Sequence, residues 1–518
     1  MEHASRLAVD AMDFEHFRLR RFLDSLGLDE LERHEAPVDL ADIASVLEGN
    51  PKAVLFSRAG PEGAELCGNV LASRKRLAHA FGTTREGLLG ELQRRLKIPP
   101  EIVEVPRAAA PVQAIVLQGE EADLTALPAH LQHRFDGAPY ISASVDFALD
   151  PATGWTNVGI RRLMLRGRRK AGVDLTVPSD LRAILEHHTR RGEPVPIAFV
   201  VGSHPTDYVA ATMRLPVDEL GLVASLRGAP LPVVKCITSD IRVPADAEYV
   251  LEGFIDTVSA AEPEGPYGEF LGYYGEVKRN PFFRLTAITR RTDALFQTAT
   301  ISGRTLGCTD TAQLNALRVE TVAWAALETA VRDVQAVYAT ASSGGSFHVR
   351  IAMTQRVPGE ARNAIAAVMG CLANVKHVFV VDPDIDIFSD EQMEWALATR
   401  FQADRNLVVQ SGMRSMPLDP SVAGARSWAK AGFDMTLPFL ASGQSRPIAL
   451  RVPEPPRYPG ARRESLEAVL VEGPKYFEEL MAALGGRDGR DIVRALEGME
   501  TGGNVIRDEK GRYLLGKL

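Results

Sequence analysis

This 518-residue sequence has few cysteines and no cluster of basic residues. Its four cysteines, Cys67, Cys236, Cys308 and Cys371, lie far apart and form no CxxC pair, which excludes a thiolate zinc motif and a dithiol redox motif. The net charge is −8 with both signs scattered, which argues against a nucleic-acid-binding surface. No stretch approaches the roughly 20 apolar residues of a membrane span, and no signal-peptide pattern opens the chain. We therefore expect a cytoplasmic protein with reduced cysteines and neither a membrane nor a nucleic-acid partner.

The sequence is long enough for several domains, and its pattern changes along the chain. Residues 1–110 combine an amphipathic helix at 14–28 with a buried strand at 53–56, which predicts a small α+β domain. From 111 to 310, short β-rich runs separated by turn residues predict a barrel or sandwich with a helix at 181–191. A long linking helix at 311–334 precedes alternating strands and helices over 335–518, which predict an α/β domain with a charged, glycine-rich tail.

The most informative segment is Glu264-Gly265-Pro266-Tyr267-Gly268-Glu269, called here the two-glutamate loop. Two glycines and a proline within six residues exclude regular helix and central strand and predict a tight loop. Such a loop fixes the directions of Glu264 and Glu269 and lets the backbone approach a ligand closely. Two converging carboxylates can divide acid and base roles, although an exposed acidic turn explains the same residues equally well.

A second segment, residues 155–162, has the pattern of a strand. Side chains alternate along a strand, so Asn157, Gly159 and Arg161 share one face and Ile160 and Arg162 the other. An arginine can bind a carboxylate through paired hydrogen bonds, and an asparagine can offer a neutral oxygen to a hard cation. Most arginines, however, lie at the surface or in structural ion pairs.

Taken together, these segments resemble the UbiD family of reversible decarboxylases, and the resemblance covers nearly the whole chain. The family's segments occur here in the family's order. They are residues 22–27, 68–74, 156–162, 233–236, 264–273, 384–388, 395–400, 417–420 and 430–434. The resemblance implies a multidomain α+β protein with a central split β-barrel of the flavin-reductase type, a linking helix and a C-terminal α/β domain that oligomerises.

The resemblance also implies a carboxy-lyase that uses prenylated FMN, with Arg162, Glu264 and Glu269 as its catalytic network. Glu269 matches the family's proton donor, while Glu264 and Arg162 hold the substrate. The cofactor supplies the electron sink, and the protein supplies orientation and proton delivery. The positions that match the family's cofactor-binding residues are Asn157, Ile160, Arg161, Arg162, Ser179, Glu219 and Lys430.

The family holds its cofactor phosphate through manganese or magnesium, with potassium alongside. Its three metal ligands match Asn157, Asp180 and Glu219, and Asp180 stands where the family has histidine. An aspartate oxygen suits a hard divalent cation at least as well as imidazole, so the metal site can survive this change. His187 and His188, later in the same predicted helix, are interpreted as exposed surface residues.

A substrate pocket is expected around Phe270, Gln297, Arg304 and Leu437. Arg304 either binds a second acidic group of the substrate or forms a structural ion pair. We favour a heteroaromatic acid as substrate, with CO2 as the other reactant or product. The resemblance further implies a flavin prenyltransferase as cofactor supplier and a homodimer or hexamer.

Two other functions are considered. A plain-FMN oxidoreductase would share the barrel, but no GxGxxG dinucleotide motif lies between a strand and a helix. A non-catalytic flavin-binding subunit would explain the change at Asp180, yet it would not need Arg162, Glu264 and Glu269 together.

Overall fold

The computed structural model describes residues 12–176, 178–259, 261–371, 374–414, 416–422, 424, 427–441, 444–457 and 465–516. The chain divides into two compact units, Met1–Thr436 and Leu437–Leu518, and each is described by itself. This division falls inside the last predicted domain, 335–518. Among the described residues, no helix has both the length and the apolar character needed to cross a bilayer.

The first part of the larger unit is a four-stranded sheet covered by short helices. The strands, in spatial order, are Leu31–His34, Ala53–Ala59, Ala64–Gly68 and Phe296–Gln297. The helices are Leu19–Asp24, Leu40–Leu47, Arg74–Ala80 and Leu88–Arg95. The predicted helix over 14–28 is therefore too long. Arg18 is extended, and its buried guanidinium donates to Glu248 at 3.1 Å, a contact 230 residues away in sequence that the local pattern could not reveal.

Six strands close into the barrel. Around it they run Tyr249–Ile255, Val195–Val201, Tyr140–Leu149, Thr156–Gly167, Lys170–Val173 and Phe282–Arg290, which pairs back onto Tyr249–Ile255. A seventh strand, Ile115–Gln118, pairs with Phe282–Arg290 from outside. Alternate side chains, among them Leu163, Phe199 and Phe283, belong to one large apolar core, as strand periodicity requires. The structure thus confirms a barrel.

Shorter elements surround the barrel. They are the helices Asp180–Arg191, Pro205–Ala210 and Glu219–Arg227, the sheet Ile102–Glu104, Leu231–Lys235 and Arg242–Pro244, and the hairpins Glu262–Glu264 with Lys278–Asn280 and Tyr267–Gly268 with Tyr274–Gly275. The two hairpins carry the two-glutamate loop. His187 and His188 are half-buried on the helix Asp180–Arg191 rather than exposed as predicted, because that helix packs against the barrel strand Val195–Val201.

The helix Asp310–Ala330 leads into a five-stranded sheet. Its strands are ordered Val334–Ala339, His348–Met353, His377–Val381, Ser427–Asp434 and Leu407–Arg414, and the central pairs are parallel. The helices Glu360–Gly370, Asp390–Arg400 and Ala403–Asn406 accompany it. This alternation confirms the predicted α/β character.

The second unit has its own small core. It contains the helices Leu466–Val471, Phe477–Leu484 and Gly489–Thr501 and the hairpin Val505–Arg507 with Tyr513–Leu515. Along the whole chain, single 3-10 turns occur at Arg107–Ala109, Pro111–Gln113, Gly119–Glu121, Leu124–Ala126, Leu306–Cys308, Ala341–Ser343, Pro420–Val422 and Ile448–Leu450.

Candidate active site

The two-glutamate loop is held by close backbone contacts. A Cβ at Gly268 would lie 2.5 Å from the ring of His133, and a Cβ at Gly137 would lie 2.3 Å from the Gly265 carbonyl oxygen. Asp136 accepts the N–H of Gly268 at 3.0 Å. The loop therefore packs closely against its neighbours, and Gly268 and Gly137 are required because a side chain at either position would displace a neighbouring group.

Arg162 connects the barrel to this loop. Its Nε donates to Glu264 Oε1 at 3.1 Å, its Nη1 to Glu269 Oε1 at 2.9 Å and its Nη2 to Asp174 at 3.1 Å. The guanidinium also lies over the ring of Tyr267, 4.6 Å from the centroid. Burial opposes its charge, but Glu269 and Glu264 outweigh burial and raise the pKa of Arg162 above its ordinary value. The structure thus brings the three predicted catalytic residues together.

Two further charged residues, Asp174 and Lys278, were not identified from the sequence. Lys278 Nζ donates to Asp174 Oδ2 at 2.8 Å, and Lys278 stands opposite Glu264 in the hairpin register. Burial alone would raise the pKa of Asp174, but Arg162 and Lys278 lower it well below its usual range. Three carboxylates and two cations therefore share one small volume. Asp174 directly follows the barrel strand Lys170–Val173, in a segment that carries no sequence motif.

The two glutamates have unequal surroundings. Glu264 is fully buried and accepts bonds from Tyr140 at 3.1 Å and Asn280 at 3.3 Å, besides Arg162. Glu269 is 6% exposed, and its Oε2 accepts no hydrogen bond from any described side chain or backbone group. Glu264 is consequently held by hydrogen bonds from three side chains, whereas the Oε2 atom of Glu269 has no hydrogen-bond partner among the described residues.

Of the predicted metal ligands, Asn157 lies near the start of the same barrel strand, and Glu219 contacts that strand. The N–H of Val158 donates to Glu219 Oε2 at 2.6 Å, and the Asn157 amide donates to Asp146 at 2.9 Å. Glu219 and Asp180 each occupy the first turn of a helix. Burial raises the pKa of Glu219 to about 7, and the charges of Asp180 and Asp146 add to this effect.

A divalent cation suits this donor set chemically. In the described part of the chain, no three Asp, Glu, His or Cys side chains are close enough together to bind a metal. The predicted site contains only two residues of these types, Asp180 and Glu219, since its third ligand is Asn157. Asp146 Oδ1 is buried and accepts no hydrogen bond from a described residue, although Arg161 Nε lies 3.4 Å from it as an ion-pair partner. The mutual repulsion of the carboxylates around Glu219 is what a hard cation relieves. The metal site with Asn157, Asp180 and Glu219 stays a prediction.

The other predicted cofactor-binding residues have these places. Ile160 and Arg161 are half-buried on the strand beside Arg162, and Arg161 Nε lies 3.4 Å from Asp146. The Ser179 hydroxyl caps its helix by accepting the N–H of Arg182. Lys430 is buried in the C-terminal sheet, where its Nζ donates to the Met369 carbonyl at 2.7 Å.

The residues of the predicted substrate pocket have the following environments, and the pocket stays a prediction. Phe270 is half-buried beside Glu269, and Arg304 is exposed with its N–H donating to Glu48. Gln297 is fully buried and accepts the N–H of Ser203 at 3.4 Å. Leu437 begins the second compact unit, whereas the site lies in the first.

A small cavity of about 40 Å³ lies next to the loop and was not predicted. Tyr267 donates its hydroxyl to Gln132, which lines this cavity. Burial lowers the pKa of His130 to about 4, so this second lining residue is neutral at neutral pH. The remaining lining residues are Ala44, Leu47, Glu48, His133, Thr300, Ile301 and Ser302.

Three family profiles match consecutive parts of the chain. They describe the N-terminal, Rift-related and C-terminal domains of 3-octaprenyl-4-hydroxybenzoate carboxy-lyase, and they match residues 27–96, 103–305 and 313–435. The chain belongs to the UbiD family. It is accordingly a decarboxylase, that is, a carboxy-lyase, on a multidomain α+β fold.

Solved structures and curated relatives agree with this assignment. The UbiD-class enzyme HmfF from Pelotomaculum thermopropionicum, solved with FMN, is 33% identical, covers 84% of this chain and 97% of its own, and has a TM-score of 0.78. An evolved dimeric form of HmfF was solved with prFMN. The anhydromevalonate phosphate decarboxylase of Methanothermobacter thermautotrophicus is 30% identical over 431 residues, which is 82% of this chain and 98% of the relative. These UbiD structures support a flavin cofactor for the present chain.

Proposed function

We propose that this UbiD-family chain is a reversible, non-oxidative decarboxylase of aromatic, heteroaromatic or α,β-unsaturated carboxylic acids that uses prenylated FMN. The observation that carries the proposal is the position of Arg162, whose one guanidinium binds both Glu264 and Glu269. A non-catalytic flavin-binding subunit has no need for such an arrangement. When bound, prenylated FMN supplies the electron sink for the pair of electrons that the departing CO2 leaves behind.

Glu269 delivers the proton. In the decarboxylation the bond between the substrate carbon and its carboxylate breaks, CO2 leaves, and the electron pair on that carbon takes up one proton. The free Oε2 of Glu269 is the atom suited to donate it, because Arg162 occupies only Oε1. Water then returns a proton to Glu269, and the reverse sequence would serve carboxylation.

Glu264, Tyr140 and Asn280 act by positioning. The bonds from Tyr140 and Asn280 fix Glu264, and Glu264 in turn fixes the plane of the Arg162 guanidinium. Asp174 binds the same guanidinium from its other end. Because the Arg162 guanidinium is already fixed before the reaction, little conformational entropy is lost on reaching the transition state. Residues that fix it can therefore accelerate the reaction without touching the reacting atoms.

The cofactor is proposed to lie along the barrel strand Thr156–Gly167. Asn157, Ile160, Arg161 and Arg162 belong to this strand, while Ser179 and Glu219 lie at the starts of the neighbouring helices. A divalent cation, manganese or magnesium, would be held by Asn157, Asp180 and Glu219, with potassium alongside. No step of the proton transfer depends on these cations.

The substrate is proposed to lie beside Phe270, with no more than a small substituent entering the cavity of about 40 Å³ that His130 and Gln132 line. Relatives named as vanillic acid and 3,4-dihydroxybenzoic acid decarboxylases support an aromatic acid, and those named as anhydromevalonate phosphate decarboxylases support an unsaturated aliphatic acid. The neutral His130 and Gln132 suit a polar but uncharged substituent. Exposed Arg304 remains a candidate for a second acidic group.

Cofactor supply and assembly are part of the same proposal. A flavin prenyltransferase would provide the prenylated cofactor in the cytoplasm. The chain would form a homodimer, or a hexamer built from three such dimers, through its C-terminal α/β domain. Relatives solved as a dimeric form and as a multi-subunit enzyme support oligomerisation in general.

Co-expression with a flavin prenyltransferase tests the function. The purified protein should carry a flavin of prenylated mass and should release CO2 from at least one acid in a panel of furan, pyrrole, indole, phenolic and acrylic acids. Unmodified FMN with hydride-transfer activity would instead indicate the oxidoreductase. Bound prenylated FMN without turnover of any acid would indicate the non-catalytic subunit.

A further inference from the structure

Lys278 is a second cation beside Arg162, and it belongs to a hairpin rather than to the barrel. It opens the strand Lys278–Asn280, directly opposite Glu264 in the antiparallel register. Its Nζ donates to Asp174 Oδ2 at 2.8 Å. The same oxygen accepts a bond from Arg162 Nη2 at 3.1 Å. One carboxylate oxygen therefore joins the two cations.

A continuous set of three ion pairs runs from Lys278 to the proposed proton donor. Lys278 binds Asp174, and Asp174 binds Arg162. Arg162 Nη1 in turn donates to Glu269 Oε1 at 2.9 Å. None of these four side chains is more than 25% exposed, so solvent screens the pairs poorly. A change of charge at Lys278 should consequently be felt at Glu269.

The charges of this group of residues do not balance when Glu269 is ionised. Three carboxylates then face two cations; they are Asp174, Glu264 and Glu269, against Arg162 and Lys278. With a proton on Glu269 the two signs are equal. Without Lys278 there would be a negative excess in both states, and it would be larger in the ionised one. Lys278 thus favours the ionised form of Glu269, which makes Glu269 a stronger acid.

The two-glutamate loop has further titratable neighbours. His133 Nδ1 lies 3.1 Å from Asp136 Oδ2, and Asp136 also accepts the N–H of Gly268. Burial raises the pKa of Tyr140 and of Tyr267, so both hydroxyl groups stay neutral. These groups are the same in the wild type and in a variant of Lys278. They therefore cannot produce a difference between the two proteins.

A separate set of ion pairs lies on the neighbouring strand of the hairpin. Glu262 binds both Arg166 and Lys170. Among the described residues, no hydrogen bond or ion pair joins this set to Arg162. Two further charged residues close to Lys278 in the chain are exposed and screened by solvent, Glu276 and Arg279. The ion pairs that lead from Lys278 to Arg162 are thus distinct from those of Glu262.

We propose that Lys278 is a positioning residue for proton delivery, which acts on Glu269 through Asp174 and Arg162. Its charge keeps the Asp174 carboxylate from drawing Arg162 away from Glu269, and it makes the Glu269 proton easier to release. The proposal rests on the proposed function, since it concerns the proton donor of that reaction. It goes further by giving a residue outside the sequence motifs control over the pH range of the reaction.

The test is the pH dependence of CO2 release in single turnovers. Release requires protonated Glu269, so it falls as the pH rises. In Lys278→Met this fall should move to higher pH by about one unit, because the lost positive charge no longer favours ionisation. The rate on the acid side of the fall should be about 2- to 5-fold lower, since a weaker acid gives up its proton more slowly. Lys278→Arg, which keeps the charge, should restore both.

Two control variants separate charge from packing. Lys170→Met removes a lysine of similar exposure, but its partner Glu262 keeps Arg166, so the wild-type pH profile should remain. Combining Asp174→Asn with Lys278→Met removes one charge of each sign, so the fall should return to the wild-type pH even if the rate stays lower. Lys278→Gln, whose amide group can still donate to a carboxylate, carries the test if Lys278→Met fails to fold.

A second measurement does not depend on turnover. In the FMN-bound protein, an infrared band of a protonated carboxyl group that is missing from the Glu269→Gln variant belongs to Glu269. This band should persist to higher pH in Lys278→Met than in the wild type.

The outcomes separate this proposal from the proposed function. Wild-type protein that releases CO2 from no acid would contradict the proposed function, and the role of Lys278 with it. An unchanged pH profile and an unchanged infrared band in Lys278→Met would overturn the role of Lys278 and leave the decarboxylase proposal intact. An equal loss of rate at every pH, or an equal shift in Lys170→Met, would also overturn it, because Lys278 would then act only on stability or as one of many surface charges.

Discussion

Replacing Glu269 by glutamine removes an acid and little else. The glutamine oxygen can still accept the 2.9 Å bond from Arg162, and the side chain keeps its volume in a site where Gly275 packs against it. Positioned general acids contribute about 10²- to 10⁴-fold to a rate, which corresponds to about 2.7 to 5.4 kcal/mol of activation free energy. We therefore expect decarboxylation to fall by that factor while flavin content and thermal midpoint stay within error.

The measurement is CO2 release in single turnovers by enzyme with a known content of prenylated flavin. Glu262→Gln is the matched control, since this residue is on the neighbouring hairpin but binds Arg166 and Lys170 and is partly exposed; the activity of this variant should stay within about twofold of wild type. A Glu269→Gln variant with more than a tenth of wild-type activity would refute the assignment of the proton donor. Equal losses in both variants would show that the hairpin, not the acid, matters.

Four further changes test other parts of the structure. Arg162→Lys should lower CO2 release by about 100-fold and lower the thermal midpoint, because an ammonium cannot reach three carboxylates at once; unchanged activity would contradict this role. Gly137→Ala should reduce turnover about 10- to 100-fold by displacing the two-glutamate loop. Gly90→Ala, with open space around it in the first turn of the helix Leu88–Arg95, should instead stabilise the protein by about 0.5–1 kcal/mol; similar effects of the two substitutions would refute the steric reasoning. Burial lowers the pKa of His204 to about 3, so as the pH drops below about 6.5 the imidazole takes up a proton in the unfolded chain but not in the folded one, and the free energy of unfolding falls. The variant His204→Gln has no such group, so its free energy of unfolding should fall by about 2 kcal/mol less than that of wild type between pH 6.5 and 5. Parallel pH profiles of the thermal midpoint for wild type and variant would exclude this. Asp180→Ala should lower the manganese content measured by mass spectrometry of the purified protein, and an unchanged content would remove Asp180 from the metal site.

Regular elements with clear local patterns were predictable. The helix predicted at 181–191 is observed as Asp180–Arg191, and the linking helix predicted at 311–334 is observed as Asp310–Ala330, because apolar periodicity and terminal residues define their ends to within a few residues. The first helix was not predictable in its length. Its N-terminal part is replaced by turns and by the extended Arg18, whose partner Glu248 is in the barrel.

The sequence by itself determined the two-glutamate loop, since glycine and proline exclude regular structure whatever surrounds them. It also placed Asn157 and Arg162 on one strand. Only the tertiary structure decided what these residues contact. Asp174, Lys278, Tyr140 and Asn280 join the network because the barrel closes and a hairpin folds over its end, so that residues 102 and 107 positions apart meet at Arg162. The unequal burial of Glu264 and Glu269 arises in the same way. Contacts over such separations depend on how strands pair, and strand pairing is a property of the whole folded chain.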